Sequence, residues 1–234
     1  MYLESFYLPS EIEQEEQMIE MRMRENGGSF GYIDNVYPCG LFEPKGLREL
    51  HFKTLTILYG GNGSGKSTLL QILGGLLKPD TGSIHYFSSQ GNFPDFAKYC
   101  GYLPQDNPLL EELTVQDNLS LWSGRIGRPE EALINMFDLS DLLKTPVRKL
   151  SGGMKRRVSI ACCLVLWPPV MIMDEPTASL DYVYKRDIRN WMKEYRASNG
   201  IIITATHDDA EIAESSQVLL LEDGVLSESG GISH

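Results

Sequence analysis

The sequence predicts an α/β fold with a mostly parallel central sheet, a small antiparallel β part and a helical subdomain. Three observations carry that expectation. Short apolar runs at 55–58, 170–173 and 201–203 read as strands covered on both faces rather than one. Stretches with helical apolar spacing lie between them, the alternation that builds a parallel sheet. A glycine loop, Gly60-Gly61-Asn62-Gly63-Ser64-Gly65-Lys66-Ser67, follows the first strand and opens a helix. It fits G-x-x-x-x-G-K-[ST], the phosphate-binding loop of a P-loop NTPase.

Residues 11–25 carry six Glu and two Arg with only a faint apolar stripe, so residues 1–30 read as an acidic N-terminal arm, a solvated helix or a disordered segment. Residues 31–234 read as a single domain built around the glycine loop. From Tyr32 to Phe52, aromatics, Pro and Gly alternate with short apolar pieces, which suggests small strands joined by turns. After the glycine loop and Thr68, residues Leu69, Leu70, Ile72, Leu73, Leu76 and Leu77 recur at helical spacing until Pro79. A turn at 79–82 leads to a strand at 83–87, and 88–98 read as a loop. A strand at 99–103 ends in Pro104-Gln105.

The helical subdomain spans about 106–165. Its first helix opens where Thr114 precedes Asp117 by three residues, a helix-start pair. Gly and Pro at 124–129 divide the block. Leu150-Ser151-Gly152-Gly153-Met154 and a basic turn, Lys155-Arg156-Arg157, precede a helix whose stripe of Val158, Ala161, Cys162 and Val165 suits packing on one side. Pro168-Pro169 ends it. The strand at 170–173 delivers Asp174-Glu175, a helix covers 182–197, Ile201–Ala205 delivers His207, and 218–226 read as a hairpin.

Composition limits the function. With 234 residues the chain can bury a real core, and its net charge of −11 argues against broad nucleic-acid binding. No apolar run is long enough to span a bilayer and no signal segment opens the chain, so a cytoplasmic protein is expected. Cys39, Cys100, Cys162 and Cys163 match no zinc spacing, and the last pair suits core packing.

In a parallel sheet the ligand site lies at the strand C-termini, and the glycine loop, Gln105, Asp174-Glu175 and His207 all fall there. The loop's N–H groups and the helix N-terminus would cradle a polyphosphate. Lys66 would reach the β and γ phosphates, and the Ser67 hydroxyl would ligate Mg²⁺. Asp174 would hold the metal, Gln105 would bridge metal and water, Glu175 would act as general base and His207 would bond the γ-phosphate. Alone, a strand-ending Asp-Glu reads as a solvated turn and a lone His as structural. At successive strand ends behind a phosphate loop, they read together as a site for hydrolysing ATP.

Residues from about 47 to 226 resemble the nucleotide-binding subunit of an ATP-binding cassette (ABC) transporter. The resemblance rests on GGNGSGKS at 60–67, YLPQ at 102–105, LSGGM at 150–154, VMIMDE at 170–175, ASLD at 178–181 and TH at 206–207. LSGG discriminates, because phosphate loops and DE-ended strands occur in many ATPases. The resemblance implies a head-to-tail dimer, homomeric or heteromeric, with two ATP molecules between the protomers. Ser151, Gly152 and Gly153 would then face the γ-phosphate held by the other protomer, and Asp181 would lie near the interface. It also implies a membrane-spanning partner subunit touching the helical block, and a location at the inner face of the cell membrane. Met154 stands where Gln is commonest, a variant of exporter-type cassettes, so export is expected. The aromatic on adenine is either Phe42, by its distance from Leu47, or Tyr37, by its distance from Gly60. The first 50 or so residues resemble small bacterial AAA-type ATPases, so the alternative is a soluble ATPase in defence, repair or translation.

Overall fold

The computed structural model describes residues 3–7, 49–79, 83–86, 89–90, 99–123, 131–222 and 224–228. A six-stranded sheet forms the centre. Its strands in chain order are β3 (Leu55–Tyr59), β6 (Cys100–Leu103), β7 (Val170–Asp174), β8 (Ile201–Ala205), β9 (Gln217–Glu222) and β10 (Val225–Glu228). Their spatial order is β10-β9-β3-β8-β7-β6, parallel except for the β9–β10 hairpin.

Every residue of β7 and β8 is buried, which explains their unbroken apolar sequences. Alternation divides them between two cores. Met171, Met173 and Ile202 join Leu55 and Leu103 beneath the helical subdomain. Val170, Ile172, Ile201, Ile203 and Ala205 face the opposite side, with Leu69, Leu70, Ile72 and Leu73 of α1 (Lys66–Leu73).

A second, antiparallel sheet has the order β2-β1-β4-β5, built from β1 (Leu3–Tyr7), β2 (Glu49–Leu50), β4 (Ser83–Tyr86) and β5 (Ser89–Gln90). Two sequence expectations change here. Residues 3–7, read as part of an acidic arm, form a strand because residues 83–86 and 49–50 pair along its two edges. Ser89 and Gln90, read as loop, pair back onto Tyr86 and His85. Residues 11–25 lie outside the described residues.

The helical subdomain comprises α2 (Val115–Ser123), α3 (Glu131–Met136), short 3-10 turns at Ser140–Leu142 and Val147–Lys149, and α4 (Gly152–Leu164). Residues 106–113 are not helical; the block starts at its helix-start pair. Thr114 Oγ1 accepts from the Asp117 amide at 3.2 Å, and the Asp117 carboxylate accepts from the Thr114 amide at 3.3 Å. The one-sided stripe expected for α4 is too narrow. Its second half, Val158 to Leu164, is buried on all faces because it runs between α2 and β6. Lys155, Arg156 and Arg157 are turns of that helix rather than a basic turn before it, and they have three different environments. Lys155 pairs with Glu111 at 2.6 Å, Arg156 is buried, and Arg157 stacks on the Tyr184 ring at 5.3 Å. The chain continues through α5 (Tyr182–Ala197) and α6 (Asp209–Ala213). Among the described residues, no helix is long and apolar enough to cross a membrane.

Candidate nucleotide site

Parallel pairing puts the C-terminal ends of four strands on one edge of the sheet. Leu58 pairs with Ala205, Ala205 with Asp174, and Met173 with Leu103. The segments leaving those ends enclose one cavity of about 560 Å³, within the usual range for a ligand site. Asn62, Gly63, Ser64, Gly65, Lys66, Ser67, Thr68, Gln105, Asp174, Glu175, Ala178 and His207 line it. Of these, only Ala178 was not expected from the sequence.

The loop has the local structure that its glycines permit. Gly63 and Gly65 sit at φ 78° and 96°, where a side chain is strained, and Gly65 caps α1. A Cβ on Gly61 or Gly63 would meet nothing within 4 Å, so the inner surface is open to a ligand. Ser64 Oγ is buried without a partner among the described residues. An unpaired buried hydroxyl beside a helix N-terminus suits an anion carrying many acceptor oxygens.

Lys66 is buried and donates to the carbonyls of Gly60 at 2.5 Å and Gly61 at 2.9 Å, so its ammonium spans the loop. One of its three N–H donors is left for an anion. Burial lowers its pKa, while Glu175 and Asp174 oppose that shift and favour the cation.

Glu175 occupies φ 47°, in the left-handed region, immediately after β7. Its amide donates to the Ala205 carbonyl at 2.9 Å, fixing the turn against β8. Burial raises its pKa; His207 opposes the shift and Asp174 adds to it. A carboxylate poised in this way is a better proton acceptor than an exposed one. His207 Nε2 lies 3.6 Å from Glu175 Oε1, and the imidazole packs against the Tyr59 ring with centroids 5.6 Å apart. Thr206 and Asp208 hold the segment on either side. The Thr206 hydroxyl accepts from the Asp208 amide, and Asp208 pairs with Lys185 at 3.1 Å and Arg189 at 2.6 Å.

The available donors suit a hard cation only in part. Among the described residues no group of three or more His, Cys, Asp or Glu is arranged to hold a metal. Asp174, the Ser67 hydroxyl and the Gln105 amide are oxygen donors among the residues lining the cavity, a set that fits Mg²⁺ when phosphate oxygens complete the shell.

The remaining sequence-predicted residues lie elsewhere. Ser151 and Gly152 are exposed at the start of α4, outside the cavity of their own chain. Ser151 Oγ caps that helix by accepting from the Met154 amide at 3.3 Å. Gly153 is buried, because a Cβ there would lie 2.3 Å from the Tyr184 ring. Asp181 is exposed and caps α5, its carboxylate accepting from the Tyr184 amide at 3.1 Å. Phe42 and Tyr37 lie outside the described residues. Arg156 escaped the sequence reading. It read only as the middle of a basic turn, yet its guanidinium binds carbonyls on both strand ends that flank the cavity.

Comparison with known proteins identifies the family. Residues 49–178 match the family described as ABC transporter. The chain is 33% identical over 194 residues to the energy-coupling factor transporter ATP-binding protein EcfA1 of Mycoplasmoides gallisepticum, covering 78% of this chain and 69% of that protein. It is 38% identical over 170 residues to the cytochrome c biogenesis ATP-binding export protein CcmA of Bartonella quintana, covering 71% and 81%. Some relatives are longer. The chain spans 33% of the probable multidrug ABC transporter ATP-binding protein YbhF of Escherichia coli, at 34% identity. A dimeric, post-hydrolysis ATP-binding cassette bound to ADP and Pi superposes with TM-score 0.67 at 25% identity, covering 79% and 90%.

Proposed function

This chain belongs to the ABC transporter family, and from that premise we propose that it powers export through a separate membrane-spanning subunit. It is an ATP-binding and ATP-hydrolysing protein of that family. One observation carries the mechanistic reading: Asn62 to Ser67 of the glycine loop, Gln105, Asp174, Glu175 and His207 share one cavity.

In the proposed cycle Gly60 to Thr68 bind the triphosphate through backbone N–H groups, with the Lys66 ammonium reaching the β and γ phosphates through its remaining N–H. Ser67, Gln105 and Asp174 would hold Mg²⁺, which would supply positive charge opposite the phosphates. Glu175 takes the proton from the attacking water as its oxygen bonds to the γ-phosphorus and the bond to ADP breaks. His207, held beside Glu175, donates to the γ-phosphate and keeps the Glu175 carboxylate ionised by its proximity.

The exposed Ser151–Gly152 end of α4 supports dimerisation. It lies outside its own cavity, its N–H groups point out of a helix N-terminus, and a second protomer's triphosphate supplies the anion. Asp181, capping α5, lies beside that interface. Export is the proposed direction because of the Met154 signature variant, and because CcmA, a relative, is named an export protein. The protein would then work at the inner face of the cell membrane, held there by its partner.

The test is Glu175→Gln, which removes the base and leaves the cradle. With MgATP this variant is expected to form a stable dimer by light scattering while hydrolysis stops. A variant that stays monomeric at saturating MgATP refutes the shared site. A multi-spanning membrane protein recovered with the full chain supports transport, and an exclusively cytosolic partner overturns it.

A further inference from the structure

Arg156 is 4% exposed, and among the described residues no carboxylate forms an ion pair with it. All five of its N–H donors go to main-chain carbonyls. Nε donates to Pro176 at 3.0 Å, Nη1 to Pro104 at 2.7 Å and Gln105 at 3.1 Å, and Nη2 to Asp174 at 2.8 Å and Glu175 at 3.0 Å. A buried cation without a counter-ion must be solvated by dipoles, and five carbonyls use the whole guanidinium fork. Burial lowers its pKa to about 10, with Cys163 and the nearby carboxylates opposing, so it is charged at neutral pH.

These carbonyls belong to two strand ends. Pro104 and Gln105 follow β6, and Asp174 to Pro176 follow β7. The two ends cannot separate, and Glu175 cannot leave its strained φ, without stranding a donor of the buried charge. Arg156 itself stands on α4, a little over one turn from the Ser151 cap. Six consecutive residues of one helix therefore join the exposed Ser151 end to the backbone beneath Gln105 and Glu175.

We propose that Arg156 is a positioning residue for ATP hydrolysis, setting the separation of Gln105 and Glu175 and tying both to the helix that begins at Ser151. This rests on the roles given above to Gln105 and Glu175. Lysine cannot replace it, because three donors on a compact ammonium cannot reach five carbonyls spread across two strand ends.

The test uses the full chain with Arg156→Lys and Arg156→Gln, read by hydrogen-exchange mass spectrometry and steady-state ATPase kinetics. Faster exchange is expected in peptides covering 104–110 and 174–178, with β3, β9 and α5 unchanged. In Arg156→Lys, kcat is expected to fall about 10- to 100-fold while KM moves less than about 3-fold, the pattern of a misplaced catalytic group with binding intact. Unchanged exchange in those peptides, or a uniform rise across the sheet, overturns the proposal. So does a kcat that stays at the wild-type value per folded molecule. Arg156→Gln leaves a smaller neutral group; should it fail to fold, the lysine variant still decides. If the wild-type chain hydrolysed no ATP, the functional reading would fall, whereas the exchange pattern would still judge the Arg156 clamp.

Discussion

Gly152 and Gly153 are neighbours at the start of α4 and stand in opposite surroundings, so a single methyl at each separates folding from function. A Cβ on Gly153 would lie 2.3–2.5 Å from three atoms of the Tyr184 ring, far inside van der Waals contact. The ring cannot yield freely, since Arg157 stacks on it and the Tyr184 amide is bonded to Asp181. Overpacking of this kind costs about 1–3 kcal/mol. Replacing glycine by alanine inside a helix returns about 0.5–1 kcal/mol. The net expectation for Gly153→Ala is a loss of about 1 kcal/mol, or about 2–4 °C in Tm for a chain of this size. At Gly152 a Cβ meets nothing within 4 Å, so only the helix gain operates and Tm stays level or rises slightly. That methyl nevertheless sits on the exposed face proposed to meet the second protomer's phosphate. In a Glu175→Gln background, Gly152→Ala is expected to abolish the MgATP-dependent dimer that light scattering detects. Adding Tyr184→Leu to Gly153→Ala opens the crowded space, so the two substitutions are expected to be less than additive by calorimetry. Gly153→Ala matching or exceeding Gly152→Ala in Tm would refute the packing argument. A full-strength dimer in Gly152→Ala would refute the interface.

Lys66→Ala removes the cation that spans the loop and is expected to abolish nucleotide binding by titration calorimetry; undiminished affinity would remove it from the cradle. In its proposed role of general base, Glu175 works only when deprotonated, so kcat is expected to rise with pH through its pKa, which lies above the ordinary carboxylate value because the group is buried. His207 opposes that shift, so His207→Ala is expected to move the acid limb to higher pH as well as lowering kcat. A limb that stays put contradicts the pairing. Asp208 is the opposite case. Burial pushes its pKa up, but the Lys185 hydrogen bond and the Arg189 charge win and hold it below the usual range. A depressed folded pKa contributes stability above the unfolded value that is lost as pH falls through the folded one. Asp208→Asn is therefore expected to cost stability in urea melts at pH 7 and progressively less below about pH 4. A cost that does not shrink in acid would show that packing, not charge, is responsible.

Much of this architecture is legible because the signals are local. Residues 170–173 and 201–203 are apolar without alternation, and only a strand covered on both faces permits that, so β7 and β8 could be placed closely from sequence. Thr114 and Asp117 state where α2 begins because both halves of the reciprocal cap lie within one turn. The cavity residues follow from the same logic, since a parallel sheet sends every strand C-terminus to one edge. What escaped is long-range. Residues 3–7 are a strand only because 83–86 and 49–50 come alongside, and nothing within LESFY announces that. Gly153 reads as a phosphate-approach glycine, while its immediate constraint is a ring thirty-one positions later in the chain.

Arg156 is the sharpest instance of the difference. Charge patterning treats a basic triplet as a solvated face, and Lys155 and Arg157 partly obey, each meeting a polar or aromatic partner near the surface. The middle residue points inward because helical geometry turns it about 100° from either neighbour, toward two strand ends whose carbonyls have no further strand to receive them. Those carbonyls need donors, and a fork with five N–H groups provides them where water is excluded. The strand ends that carry the proposed chemistry thus create the demand that buries the charge. The helix that supplies it is the one whose tip is proposed to meet a second chain, and on that proposal local backbone satisfaction and communication between the sites become one structural requirement.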